Sequence, residues 1–274
     1  MVTGIDKFRD HFAAHEGQYA IFGGAAFDLL FNAAGRDFRA TKDIDMVLCV
    51  EVVDAKFGWA FQAFLDAGGY QARERSDGRR EFYRFHQPTD RSFPFMIELF
   101  SRRPVNLDLP KDAIYARVPV DHDIVSLSAI LLNDAYFKML QAAKRQVDGI
   151  TVIDETLLIP FEARAFLDLA ARSKADGNVN RKNIRKHRND VFRLAQLLRQ
   201  NEPVEPPKSV CHDLRTFVDR TCSDETLDPR AFGVPFTRDE AADLLRSVYG
   251  LTWKGARWHS PTSIPIATRD VPSV

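Results

Sequence analysis

The spacing of apolar and polar positions divides the chain into two unlike halves. In residues 3–16, Ile5, Phe8 and Phe12 recur at helical spacing among charged neighbours, which predicts an amphipathic helix. Gln18 to Phe22 is a short apolar run that stops at Gly23-Gly24 and predicts a strand. Ala25 to Ala34 is dense in apolar residues and predicts a helix; Ile44 to Val50 predicts a second strand. Ala55 to Ala67 has helical periodicity and is closed by Gly68-Gly69. Glu81 to His86 and Phe95 to Phe100 predict two further strands, separated by a polar, proline-containing turn at 87–91. After about residue 125 the helix pattern takes over. Helices are predicted over 133–147 and 160–175, a break at ADGNVN (175–180), and a long basic helix over 181–200. The segment NEPVEPPKS (201–209), with three prolines, reads as a linker before helices over 211–222 and 238–248. The pattern therefore predicts an α/β unit over 1–125, a helical unit over 126–200 and a linker with a small helical extension over 201–274.

Composition narrows the classes of function. The 274 residues are 45% hydrophobic with a formal net charge of zero. That is enough for a sizeable core, and it excludes a globally basic, phosphate-neutralising surface while leaving local patches open. Cys49, Cys211 and Cys222 have no CxxC spacing, so they read as reduced thiols and not as a disulfide frame or a zinc site. The opening MVTGIDKFRDHF has no apolar core of a signal peptide, and no apolar run approaches the ~20 residues of a membrane span. The expectation is a cytoplasmic protein without membrane association.

The candidate chemistry starts with acids on strands. Asp43 and Asp45 are two apart in KDIDMVL, so a strand places them on one face with Ile44 on the other. Two carboxylates held that way repel unless a cation lies between them, and hard oxygen donors suit Mg²⁺. Two solvated acids on an edge strand would carry the same pattern. Glu98 stands alone in the apolar run FPFMIELFS, where a carboxylate needs a metal, another cation or solvent. Gly23-Gly24 lies between a strand and a helix, where backbone N–H groups can face a phosphate.

The order G-G, D-x-D, then a third acid on a later strand resembles the nucleotidyltransferase superfamily. YAIFGGAAFDLLFNAAGRDFRATKDIDMVL resembles its AbiEii/AbiGii toxin branch, which includes the MenT-like toxins, and RATKDID is typical of that branch. The resemblance covers roughly residues 5–200. It implies a polymerase-β-like domain with a mixed sheet, followed by the mainly helical half. It implies that Gly23 and Gly24 hold a nucleoside triphosphate with Thr41 and Lys42 beside them, and that Asp43, Asp45 and Glu98 bind Mg²⁺ as one or two ions, with Mn²⁺ as a substitute. Gly24 stands where many members carry Ser, which leaves the loop only its backbone amides.

In the helical half, KHRNDVFRL resembles the family's K-D-x-x-D-x-x-x-L helix, with Lys186 and Asp190 in matching places and His187 where the first Asp is usual. The resemblance implies that Asp190 faces the active cleft as a fourth catalytic acid and that Lys186 contacts the triphosphate. For the family's upstream cation, Arg164 and Lys138 compete; Arg164 is the preferred clamp, and a Lys that merely lays its stem on an apolar face is the plain alternative. Arg181, Lys182, Arg185, Lys186, His187, Arg188, Arg193 and Arg199 are either a solvated helix face or a local patch for RNA, with Arg181, Lys182 and Arg185 as its acceptor-binding members. Trp253 and Trp258, interleaved with Lys254, Arg257 and His259, are either a structural plug or a stacking surface for a single-stranded RNA end. The activity implied is metal-dependent transfer of a nucleotide to an RNA 3′ end, with tRNA as the RNA, by a toxin with a cognate antitoxin as partner. Modification of a protein or of a small molecule such as an aminoglycoside, and a binding module without turnover, are the alternatives. No P-loop pattern and no GxSxG are present.

Overall fold

The computed structural model describes residues 2–37, 43–48, 55–72, 82–100, 133–176 and 180–251, of which 45–48, 71–72, 82–84, 100 and 176 are described as backbone only. Thr41, Lys42, Trp253, Lys254, Arg257, Trp258 and His259 lie outside the described residues.

Among the described residues the chain opens with α1 (Ile5–Phe12) and β1 (Tyr19–Phe22), followed by α2 (Gly23–Ala33) and β2 (Asp43–Leu48). Next come α3 (Ala55–Gly68), β3 (Gln71–Ala72), β4 (Phe82–His86) and β5 (Met96–Phe100). The second half runs through α4 (Asp134–Ala142), β6 (Lys144–Val147), β7 (Ile150–Ile153), α5 (Glu155–Asp176), α6 (Arg181–Ala195), α7 (Lys208–Cys222) and α8 (Arg238–Val248). The strands form one mixed sheet in the order β3-β4-β5-β2-β1-β7-β6. β2 runs parallel to β5 and antiparallel to β1, and β1 runs parallel to β7.

Each predicted face is the buried one. Ile5, Phe8 and Phe12 of α1 are buried, and so are Phe57, Phe61 and Phe64 of α3. Their rings pack on one another and on Tyr19 of β1: Phe8 meets Tyr19 edge-on at 5.4 Å and Phe12 lies 5.4 Å from Phe64. Burying one such ring stabilises by about 1.5–3 kcal/mol, so this cluster fixes α1 and α3 on the sheet. All four residues of β1 are buried, as befits an interior strand.

The segment 133–147, expected as one helix, is a correction. The helix ends at Ala142 and the chain turns into the β6–β7 hairpin. Asp148 (φ 49°) and Gly149 (φ 73°) both take the left-handed region, as a two-residue hairpin turn that follows strand twist requires. The β-branched run Ile150–Ile153 then pairs with β1 through Ile21 and Val152. The second half thus donates two strands to the sheet.

α5 begins earlier than expected and contains Pro160. Proline has no N–H for the carbonyl of Thr156 one turn back; the buried Tyr249 hydroxyl donates to that carbonyl instead, at 3.0 Å. The expected linker at 201–209 runs packed against the helices: the Val204 amide donates to the Val248 carbonyl at 2.7 Å. Phe217 of α7 packs against Phe166 of α5 at 5.4 Å and Phe192 of α6 at 5.9 Å. The extension beyond 200 therefore shares a core with α5 and α6.

Candidate active site

The G-G turn and the three acids come together through strand register. Asp45 pairs with Phe22 of β1 on one side and with Glu98 of β5 on the other, and Asp43 pairs with Met96. Directly paired residues share a face, and residues two apart on a strand share it as well. Positions 22, 43, 45 and 98 therefore occupy one face of the sheet. Ile44, on the other face, is fully buried in the core.

Phe22 is the last residue of β1, so Gly23 follows directly on the residue opposite Asp45. Gly23 has φ 66°, a backbone conformation that glycine adopts without the Cβ clash other residues meet. The turn launches α2 with no side-chain cap and no acidic residue in the first turn. The first backbone N–H groups of a helix lack intrahelical partners and carry its positive end, so the start of α2 presents anion-binding donors beside the acid-bearing face. Glu98 is 6% exposed, between Ile97 and Leu99 at 0% and 1%. Asp43, at the start of β2, is half-buried.

The helical half borders this face. The Phe22 ring lies 6.5 Å from Phe161 of α5, and Phe161 meets Tyr136 of α4 edge-on at 5.5 Å. The Tyr136 hydroxyl donates to Asp213 at 2.9 Å, and Arg164 donates to the other Asp213 oxygen at 2.9 Å. Burial, then the Asp213 charge, pushes the Tyr136 phenol far above its usual range, so it stays a donor.

Arg164, the preferred clamp, and Asp190, the expected fourth acid, have other partners. Arg164 is held by Asp213 and, at 3.1 Å, by Asp168. Asp190 is fully buried in α6 and accepts from Arg193 at 2.8 Å. His187, in the place of the usual Asp, is buried and its Nδ1 lies 2.6 Å from Glu162 of α5. Lys138 and Lys186 are exposed on α4 and α6. Sequence reasoning passed over Asp28, an acid inside the apolar run AAFDLLF. It is 2% exposed on α2 and accepts from Asn32 at 3.1 Å. A lone acid among apolar residues was the signal at Glu98 and marks Asp28 equally.

Among the described residues no group of three His, Cys, Asp or Glu side chains is drawn close enough to hold a metal ion. Asp45, which the register places beside Glu98, is described as backbone only. The donor chemistry of Asp43, Asp45 and Glu98 fits Mg²⁺: all are hard carboxylate oxygens, and Glu98 is a buried acid on an apolar strand. No helix among the described residues is long and apolar enough to cross a membrane.

No protein-family model and no curated protein matches the chain. Two solved structures are similar over most of its length. One is an antigenic nucleotidyltransferase-like protein from Paracoccidioides brasiliensis, with 14% identity, a TM-score of 0.46 and coverage of 90% of this chain and 91% of that one. The other is the antibiotic-resistance factor ANT(2'')-Ia, with 16% identity, a TM-score of 0.37 and coverage of 82% and 94%. Likeness this loose carries neither activity nor substrate to the present chain.

Proposed function

We propose that the chain is a metal-dependent nucleotidyltransferase that moves a nucleoside monophosphate from a nucleoside triphosphate to an acceptor hydroxyl and releases pyrophosphate. The observation that carries this reading is the register that sets Phe22 beside Asp45 and Asp45 beside Glu98. It joins an uncapped, glycine-led helix start to a face bearing three acid positions. Asp43, Asp45 and Glu98 would hold Mg²⁺, which when bound neutralises triphosphate charge and stabilises the leaving pyrophosphate. The Gly23 and Gly24 amides bind phosphate oxygens and orient the chain of phosphates. The acceptor oxygen forms a bond to the α-phosphorus as the bond to pyrophosphate breaks, and Glu98 would share the second metal or help take the acceptor's proton. Such transfer depends on positioning and electrostatics, so no nucleophilic side chain is required.

The acceptor we favour is an RNA 3′ end, as in the AbiEii/AbiGii toxins that the sequence resembles, with an antitoxin partner following from the same resemblance. Supporting it, Arg181, Lys182, Arg185 and Lys186 are all exposed along α6, a local basic surface on an otherwise neutral chain. The test is incubation with each labelled nucleoside triphosphate, Mg²⁺ and total tRNA, and again without RNA. Label transferred to tRNA is expected. Label on the protein alone would replace the RNA acceptor, and no transfer with any nucleotide would overturn the enzymatic reading.

A further inference from the structure

A pocket of about 380 Å³ opens in the helical half where α5, α6 and the last turn of α7 meet, lined by Phe166, Arg188, Arg220, Thr221, Ser223 and Asp224. Two guanidinium groups share it, and neither is fully used. The Arg188 side chain is 20% exposed and carries five N–H donors. Its hydrogen bonds are two long ones, 3.3 Å to Asn189 Oδ1 and 3.3 Å to Asp224 Oδ2. Burial, against the pull of Asp224, pushes its pKa below the usual arginine value, and Arg185 pushes the same way; it stays cationic at neutral pH. Arg220 lies over the Phe166 ring at 5.1 Å and makes no ion pair among the described residues. Asp224 is occupied elsewhere, its other oxygen accepting from the Thr226 amide and hydroxyl. The negative end of α7 is blunted, because the Ser223 hydroxyl donates to the Arg220 carbonyl and the Ser223 and Asp224 amides donate to the Asp219 and Thr221 carbonyls.

The pocket lies at the end of a line of charge. Arg181, Arg185 and Arg188 are spaced i, i+4, i+7 on α6, so they share one face. Their steps are about one helical turn, roughly 5–6 Å. A repeated cation leading into a pair of guanidinium groups suits a chain of phosphates better than one small anion. We propose that this pocket holds a backbone phosphate of single-stranded RNA, gripped by Arg188 and Arg220, with Arg181 and Arg185 guiding the strand into it. The proposal rests on the RNA-acceptor reading above but is tested without catalysis.

The measurement is fluorescence anisotropy of a labelled single-stranded oligoribonucleotide, without nucleotide or metal, over a range of salt. Arg188→Gln and Arg220→Gln should each lower affinity about ten- to hundredfold. Each should also reduce the slope of log K against log salt by about 0.7, the share of one phosphate contact. Arg220→Lys should recover part of the loss, since charge returns without the planar fork. Melting temperatures accompany each variant; Arg220→Gln, at the rim, keeps the test open if Arg188→Gln fails to fold. No RNA binding by the wild type, unchanged binding in both Gln variants, or weaker binding with an unchanged salt slope would each overturn the proposal. Binding of heparin but not RNA would do the same. Arginine-dependent RNA binding without nucleotide transfer would sink the catalytic reading and leave this site standing; transfer to RNA with binding indifferent to both arginines would do the reverse.

Discussion

The two halves of the molecule hold charge in different ways. In the sheet half, Asp43, Asp45 and Glu98 are set on one face by backbone register, which burial of the paired Ile44 and Ile97 on the other face helps to fix. In the helical half, charges choose partners through packing. Arg164 bridges Asp168 and Asp213, Asp190 takes Arg193, and His187 takes Glu162. A strand ladder fixes which positions face each other, so like charges can be forced together and left in need of a cation. Helices rotate and slide until buried opposite charges meet, because a buried charge without a partner is costly. Candidate chemistry therefore concentrates on the strands, while the helices' half-buried and buried charges serve mainly to hold the fold.

The largest expected effect tests the strand side. Asp43→Ala and Asp45→Ala should each lower kcat for nucleotide transfer by at least about a hundredfold, the scale of losing one preorganised electrostatic contact. The fold should persist, because removing one of several clustered acids relieves repulsion. Label-transfer assays and a thermal melt check both halves of this statement. Wild-type turnover in the double variant would break the contrast, since the register would then have no chemical consequence.

Next comes Asp190, which the sequence pattern marks as catalytic and the structure places fully buried against Arg193. Asp190→Asn should lower stability by about 1–3 kcal/mol, the range for a hydrogen bond to a charged group, read by chemical denaturation. Its effect on kcat should then follow the folded fraction. A large kcat loss in a fully folded Asp190→Asn protein would move this acid to the catalytic side.

Arg164 sharpens the same line. Its guanidinium is bound to two carboxylates, one of them the buried Asp213. Being 41% exposed on its side chain, it should contribute only about 1 kcal/mol to stability. Arg164→Ala should leave the KM for nucleotide within about threefold, less than 1 kcal/mol of binding. A KM rise of ten- to hundredfold would show that Arg164 leaves its acids to clamp the triphosphate.

How much the sequence revealed follows the same division. The strand positions of the acids, Glu98 among them, and of the glycine turn were legible because strand period is local and regular. The register between β2 and β5 then brought together residues more than fifty positions apart. β6 was misread as the end of a helix and β7 was not assigned, although the hairpin's signal, Asp148-Gly149 before Ile150–Ile153, lies in the chain. The apolar periodicity of α4 ran on into it and hid the turn. Pro160 delayed the expected start of α5, because the compensating Tyr249 hydroxyl comes from 89 positions further along the chain. The partners of Arg164 and His187 were likewise invisible: Asp213 and Glu162 belong to other helices, and nothing local announces which helices will touch.

The smallest expected effect lies at the seam between the halves, where β7 passes into α5. Asp154 caps α5 by accepting from the Thr156 amide and hydroxyl, and Glu155 pairs with Arg145 at 3.2 Å. Burial pushes both carboxyls above the usual range, outweighing the Thr156 hydrogen bonds at Asp154 and the Arg145 charge at Glu155. The folded state thus holds these protons more tightly than the unfolded chain. Wherever both acids are ionised in either state, their burial lowers stability. As pH falls through the folded pKa toward the ordinary carboxylate value of about 4, the folded state takes up protons first and that penalty fades. Glu155→Gln removes the buried charge outright. It should therefore raise the melting temperature at pH 7 by about 2 °C or less, with the gain shrinking as pH approaches the carboxylate range. Melting curves at several pH values decide it. A gain that grew on acidification would mean that the Arg145 pair outweighs burial, and the seam would then resemble the charge-matched helices and not a site where packing opposes charge.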